Sequence, residues 1–210
     1  MISDQSAAYP VFGTQQHYDG AVVAVRTDEV VLPDGTPVRR DVVEHPGSVS
    51  VIAVDDQERV LLLQQYRHPA SRLLWEPPAG LLDEPGEPPL ETAARELLEE
   101  AGLRAERWTV LVDAFTSPGM SDEATRVYLA QGVCEVPDEE RPPREHEELD
   151  MPVRWISIDE GVDGILAGRL HNPLAIMGIL AVAQVRARGW SDVRPAETPW
   201  PERPAGGVKG

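Results

Sequence analysis

The sequence of 210 residues predicts a mixed α/β protein built around one sizeable core. Short apolar runs separated by turn residues indicate β-strands, and three other stretches show helical patterns. A hydrophobic content of 41% and a charged content of 26% are typical of a globular chain of this length. We therefore expect a sheet of mixed strand direction and several helices in one folded unit.

The first half of the chain is predicted to be mainly β-structure. Residues 21–32 and 38–45 are two β runs around the turn at residues 33–35, so they predict a hairpin. Residues 49–54 and 60–66 predict a second hairpin, whose first strand should be central because it is nearly all apolar.

The second half is predicted to alternate strands with helices. A helix starts at about Pro88 and stops at Gly102, and it carries one apolar stripe. The stripe consists of Leu90, Ala94, Leu97 and Ala101. Further β runs fit residues 108–112, 127–133 and 153–158, and helical patterns fit residues 159–167 and 173–188.

Composition divides the chain into three regions. Residues 1–46 form an N-terminal β region, residues 47–190 form the main domain, and residues 191–210 form a tail rich in Pro and Gly. Within the main domain, eight of the sixteen residues from Glu135 to Asp150 are acidic and three are proline. This composition favours an exposed loop.

The charge balance limits the possible partners. The formal net charge is −17 and the pI is about 4.6, so nucleic acid is an unsuitable partner, and phosphate chemistry would need bridging metal cations. No stretch suits a signal peptide or a membrane span, which predicts a cytoplasmic protein without membrane attachment. The one cysteine, Cys134, follows an apolar-alternating stretch and is predicted to be a small core residue.

Carboxylates gather on one face of the helix that begins near Pro88. Glu96 and Glu100 are four residues apart, and Glu99 lies three residues after Glu96, so the three share one surface. Such groups repel one another unless a cation lies between them, and hard divalent metals prefer oxygen ligands. The alternative is a solvated acidic face, balanced by pairs that Arg95 makes with Glu91 and Glu99.

The whole segment resembles the Nudix box, a loop–helix–loop signature with fixed spacing. The resemblance implies an α/β/α sandwich over roughly residues 20–185 and hydrolysis of nucleoside diphosphates linked to another moiety. Between the first Gly and the first Glu the family has five residues, and this chain has six, residues 81–86. The matching positions are Gly80, Glu87, Arg95, Glu96, Leu97, Glu99, Glu100, Gly102 and Leu103.

The same resemblance implies a metal site and its supporting residues. Glu96, Glu100 and the backbone carbonyl of Ala79 would hold Mg²⁺, with Mn²⁺ as a possible substitute, and Arg95 would orient the carboxylates. A general base would come from the acidic loop. Glu148 is our choice as base or additional metal ligand, and Glu147 and then Glu99 are the alternatives. His146 could compete at neutral pH, although a lone His in an acidic loop is more often solvated.

Further matches lie at residues 65–68, 75–80, 116–123 and 146–151, and together they resemble the bacterial ADP-ribose pyrophosphatase branch of the Nudix family. They imply that ADP-ribose is cleaved to AMP and ribose 5-phosphate. Arg67 would pair with a substrate phosphate. The substrate site would also include Glu76 from the stretch at residues 75–80, and Pro118 and Gly119 from the stretch at residues 116–123.

The branch also implies a homodimer in which the N-terminal region contacts the base of the substrate. Residues 20–25 lack the aromatic side chain that stacks on adenine in the branch, so Arg40 is the candidate to stack or hydrogen-bond there. Two alternatives stay open. One is hydrolysis of another diphosphate, such as a sugar nucleotide, a dinucleotide or an oxidised nucleotide. The other is a sensor that binds ADP-ribose without cleaving it.

Overall fold

The computed structural model describes residues 2–142 and 151–204. Within these residues eleven strands and three α-helices follow one another along the chain. The strands are β1 (Val11–Asp19), β2 (Ala24–Val31), β3 (Pro37–Glu44), β4 (Ser48–Val54), β5 (Arg59–Arg67), β6 (Arg72–Glu76), β7 (Ala79–Leu81), β8 (Leu103–Phe115), β9 (Ala124–Glu135), β10 (Val153–Ser157) and β11 (Arg194–Pro195). The helices are α1 (Pro89–Ala101), α2 (Ile158–Leu166) and α3 (Pro173–Ala187).

The N-terminal region is a separate antiparallel sheet in the order β1-β2-β3. The predicted hairpin of β2 and β3 is present, with Val31 opposite Pro37 at the turn. The sequence did not indicate β1, because its residues are mostly polar and exposed on both faces and therefore show no alternation. The predicted hairpin is thus a three-stranded sheet.

The main sheet has mixed strand direction, as predicted. Its strands follow the order β10-β5-β4-β9-β8-β11, with β6 paired to β5 and β7 paired to β4. Strands β4 and β9 are parallel, whereas the other pairs are antiparallel. All seven residues of β4 are buried, which confirms its central position.

Helices cover both faces of this sheet. Because side chains alternate between the faces along each strand, successive residues of β4 belong to two different cores. On one face, Val49, Val51 and Ala53 share a core with Leu97 of α1. On the other, Ile52 and Val54 share a core with residues of α2 and α3. A Cβ at Gly178 would lie 2.5 Å from Ile52, so glycine allows α3 to approach the central strand closely. The resulting α/β/α sandwich is the predicted architecture.

Two burial predictions were wrong. Ala93 is fully buried in α1 whereas Ala94 is exposed, because the helix contacts the sheet about one residue around from the predicted stripe. Cys134 is exposed rather than in the core. It is the second-last residue of β9, and the last two residues of this strand are exposed.

The C-terminal segment packs on the domain as far as the structure describes it. Strand β11 pairs with β8, and Trp200 packs against the core on the side of α1. The buried Arg126 donates to the carbonyls of Thr198 and Pro199 at 2.7 and 3.4 Å. These contacts hold the described part of the Pro- and Gly-rich tail to the sheet. In the described parts of the chain, no helix has the length and apolar character needed to span a membrane.

Candidate active site

The carboxylates of α1 are placed by a short helix with well-defined ends. Pro89 suits the first turn of the helix, where a backbone N–H would have no partner. Gly102 ends the helix with a φ of 65°, a left-handed conformation that favours glycine. We call residues 79–102, which comprise β7, the connecting loop, α1 and its glycine cap, the loop–helix unit.

Glu96 and Glu100 both meet β7. The Glu100 side chain is buried, and its Oε2 accepts a hydrogen bond of 2.9 Å from the backbone N–H of Ala79. A Cβ at Gly80 would overlap the Glu96 carboxylate, so the absence of a side chain there makes room for it. Ala79 lies opposite Ser50 in the β4–β7 ladder, which fixes the backbone between the two carboxylates.

Arg95 binds three acidic residues of the unit, Glu87, Glu96 and Glu99. Its Nε and Nη2 donate to Glu87 at 3.1 Å, and its Nη1 donates to Glu96 at 2.8 Å and to Glu99 at 2.9 Å. The Arg95 guanidinium lowers the pKa of Glu87, and a 2.8 Å hydrogen bond from Thr92 lowers it further. These acids, Glu87 first, raise the pKa of Arg95 above its ordinary value. Arg95 therefore stays charged and fixes the carboxylate side chains.

This network agrees only in part with the alternative interpretation, a solvated acidic face. The solvated-face alternative predicted Arg95 pairs with Glu91 and Glu99, but only the Glu99 pair is present. Arg95 instead reaches Glu87, eight residues away, and the adjacent Glu96. Sequence reasoning missed the contribution of Thr92 and the close approach of Glu96 to Gly80. The glycine at the start of the box was a signal for the second of these.

The donor set suits a hard divalent cation. Glu96, Glu100 and the Ala79 carbonyl offer oxygen atoms on one short segment of backbone, and Mg²⁺ uses one or two carboxylates plus water and substrate oxygens. Within residues 2–142 and 151–204, no three His, Cys, Asp or Glu side chains are grouped closely enough to enclose a metal ion. Glu147 and Glu148, the predicted base candidates, lie outside the described residues together with His146.

Arg67 and Glu76 form a two-pronged ion pair. Arg67 Nε lies 3.0 and 3.1 Å from the two Glu76 oxygens, and Arg67 Nη2 lies 2.7 Å from Oε2. The Glu76 side chain is 1% exposed, whereas that of Arg67 is 44% exposed. Both were predicted to contact substrate. The geometry indicates that buried Glu76 holds the Arg67 guanidinium in place, while the exposed part of Arg67 stays accessible to a ligand.

The remaining predicted substrate contacts lie on other elements. Pro118 and Gly119 are exposed in the loop between β8 and β9. Arg40 lies on β3, where its exposed guanidinium donates to the carbonyl of Arg39 at 3.1 Å. The structure therefore places Arg40 on the N-terminal sheet, apart from the loop–helix unit.

The sandwich and its carboxylate-bearing loop–helix unit are typical of a class of hydrolases that cleave diphosphates. A family model for the NUDIX domain matches residues 44–174, and the chain belongs to that family. This match and the relatives below confirm the resemblance seen in the sequence.

Two relatives and one solved structure extend the comparison. The chain is 48% identical to the ADP-ribose pyrophosphatase of Mycobacterium tuberculosis over 196 residues, 93% of each chain. It is 34% identical to the Methanol dehydrogenase activator of Bacillus methanolicus over 166 residues, 79% of this chain and 88% of that protein. A crystal structure of ADP compounds hydrolase matches with a TM-score of 0.71 and 17% identity, covering 90% of this chain and 100% of that one. At that identity the structural match concerns the fold alone.

Proposed function

We propose that this protein hydrolyses ADP-ribose to AMP and ribose 5-phosphate, with Mg²⁺ as its cofactor and Mn²⁺ as a possible substitute. The observation that carries the proposal is the seating of Glu96 and Glu100 on β7, where Ala79 binds one carboxylate and Gly80 accommodates the other. The 48% identical relative is an ADP-ribose pyrophosphatase, which supports the choice of ADP-ribose among diphosphates.

Each residue of the loop–helix unit has a role in this proposal. Glu96, Glu100 and the Ala79 carbonyl would hold the cation. When bound, it would neutralise the diphosphate and lower the pKa of the attacking water. Arg95 keeps Glu96 and Glu99 oriented through its two Nη1 hydrogen bonds, as a guanidinium between carboxylates does.

The base and the phosphate contact complete the proposed chemistry. Glu148 would accept the proton of the attacking water, because a carboxylate away from the metal keeps its basicity. Glu147 is the runner-up. Glu99 is the candidate within the box, although its carboxylate is already bound by Arg95. Arg67, held by Glu76, would bind a phosphate oxygen with its fork of donors.

The adenosine part is assigned to the N-terminal sheet and the loop between β8 and β9. Arg40 would contact the base, and Pro118 and Gly119 would contact the substrate from the loop. We also propose a cytoplasmic homodimer, in which the N-terminal sheet packs against the partner, because a three-stranded sheet standing alone leaves its edges exposed.

The test is product analysis after incubation with ADP-ribose and Mg²⁺. We expect AMP and ribose 5-phosphate by chromatography, and no products when EDTA is added. Parallel incubations use a sugar nucleotide, a dinucleotide and an oxidised nucleoside triphosphate. If one of these compounds were cleaved faster than ADP-ribose, that compound would replace ADP-ribose as the proposed substrate. Tight binding of ADP-ribose without turnover would instead indicate a sensor.

A further inference from the structure

The loop of residues 116–123 between β8 and β9 is anchored by one carboxylate at its base. The Thr116 N–H donates to the Glu123 carbonyl at 3.2 Å, and the Thr116 hydroxyl donates to Glu123 Oε2. The other carboxylate oxygen, Oε1, accepts a 3.3 Å hydrogen bond from the hydroxyl of Ser48. Because Ser48 begins β4, Glu123 joins the loop to the fully buried central strand of the sheet.

The same loop is also paired with the N-terminal sheet. Val43 of β3 donates its N–H to Met120 at 2.8 Å and accepts from Asp122 at 3.2 Å, in a parallel bridge. The Asp122 carboxylate accepts from the N–H of His45 at 2.9 Å. The His45 Nδ1 accepts from Gly47 at 3.1 Å and lies 3.9 Å from Glu123 Oε1. These contacts bring β3, the loop and the start of β4 together.

The tip of the loop depends on this anchored base. Met120 and Ser121 donate their N–H groups to the Ser117 carbonyl at 3.0 and 2.9 Å, which folds the tip into a turn. Pro118 and Gly119 in this turn are exposed, and a Cβ at Gly119 would have nothing within 4 Å. The two tip residues are thus exposed to solvent, and the turn that carries them begins and ends at the anchored base.

We propose that Glu123 is a positioning residue that presents the loop tip to the sugar of the substrate. The inference rests on the proposed function, in which Pro118 and Gly119 contact the substrate. The loop contains two acidic residues and no cationic one, so it suits the hydroxyl groups of a ribose better than a diphosphate. A preformed loop lowers the ordering cost of binding, so Glu123 improves substrate affinity rather than the chemical step.

The test compares Thr116→Val with Thr116→Ser. Valine keeps the shape of threonine but removes the hydroxyl that donates to Glu123, whereas serine keeps the hydroxyl. Glu123→Ala removes the anchor itself, and Glu106→Ala, a 76% exposed acid on β8, is the control for the loss of one charge. Each variant is measured by hydrogen exchange of the amides at residues 117–121 and by KM and kcat for ADP-ribose.

We expect Thr116→Val and Glu123→Ala to lose amide protection in the loop and to raise KM about tenfold, with kcat within about twofold of wild type. Thr116→Ser and Glu106→Ala should match wild type in both measurements. Lost protection without a change in KM would overturn the inference, and so would a fall in kcat at unchanged KM. If wild type did not cleave ADP-ribose, the proposed function would fail separately. KM would then be measured for the diphosphate that is cleaved, with the same criteria.

Discussion

The loop–helix unit and the N-terminal sheet are stabilised in opposite ways. In the unit, charged side chains are bonded to one another and to the backbone of β7, over a buried helix face. In the N-terminal sheet, strand β1 exposes almost every residue, including the aromatic side chains Phe12 and Tyr18 at 60% and 57%. The unit can hold its geometry within one chain, whereas the sheet presents apolar surface that a partner would cover.

This difference separates two contributions to activity. The Arg95 ion pairs and the hydrogen bond from Ala79 to Glu100 lie within the 24 residues of the unit, and β4 supports its backbone through β7. A change in this geometry should therefore affect turnover and leave assembly unchanged. The N-terminal sheet touches the rest of the chain through the loop that carries Pro118, at Val43. Substitutions in the N-terminal sheet should therefore affect assembly and substrate affinity more than turnover.

Replacing Glu100 with glutamine should give the largest effect. The amide oxygen still accepts from the Ala79 N–H, but a charged metal ligand is lost, so kcat should fall by more than about 100-fold. The melting temperature without metal should hold or rise, because one like charge is removed from a crowded face. Glu91→Gln on the exposed side of the same helix is the control and should retain activity. Full activity in both Glu96→Gln and Glu100→Gln would refute the metal site.

Replacing Gly80 with alanine should lower activity with little loss of stability. The added methyl group overlaps the flexible Glu96 side chain rather than backbone, so Glu96 must leave its place while the fold persists. We expect activity to fall by about 10-fold to 100-fold, the range for changes that misorient a metal ligand. Gly13→Ala is the control and should keep kcat, because its added methyl group would also meet a flexible carboxylate, that of Glu29 at 3.1 Å, but outside the unit. A drop in melting temperature equal to that of a core variant would contradict this division between activity and stability.

Replacing Phe12 and Tyr18 with serine should break the proposed dimer. Both side chains are exposed on the edge strand β1, so the double variant removes apolar surface that a partner would cover. Sedimentation equilibrium at micromolar concentration should show a dimer for wild type and a monomer for the variant. KM should rise about tenfold if base contacts come from the assembled sheet. Gln15→Ser on the same strand is the control, and a fully active wild-type monomer would exclude the dimer.

The sequence predicted the elements of the loop–helix unit better than those of the N-terminal region for a physical reason. The Nudix box and the apolar strand β4 are local patterns, and the helix they specify holds its carboxylates through short-range contacts. Strand β1 has no such pattern, since its residues are mostly polar and exposed on both faces. The bonds from Glu123 to Thr116 and Ser48 join residues up to 75 positions apart, and composition alone does not indicate such pairs. The docking of Trp200 was missed for the same reason.

Acidic pH should weaken the loop–helix unit slightly, through Glu87. The hydrogen bond from Arg95 places the folded-state pKa of Glu87 below the ordinary glutamate value of about 4.3. The folded state therefore binds fewer protons than the unfolded state in this range. The stabilisation by Glu87 is complete above about pH 4.3 and is lost as the pH falls through the depressed pKa.

Because the Glu87–Arg95 pair is partly exposed, the free energy of unfolding that depends on it should be no more than about 1 kcal/mol. Urea unfolding of wild type and Glu87→Gln from pH 7 to pH 3 measures it. The two stabilities should differ at pH 7 and converge as the pH falls through the depressed pKa of Glu87, because Glu87 then loses its charge and glutamine carries none at any pH. Glu84→Gln, an exposed acid in the same loop, should track wild type throughout. A difference that persisted unchanged to pH 3 would mean that Glu87 acts through packing with Thr92 rather than through its charge, and that the unit is held by shape as much as by ion pairs.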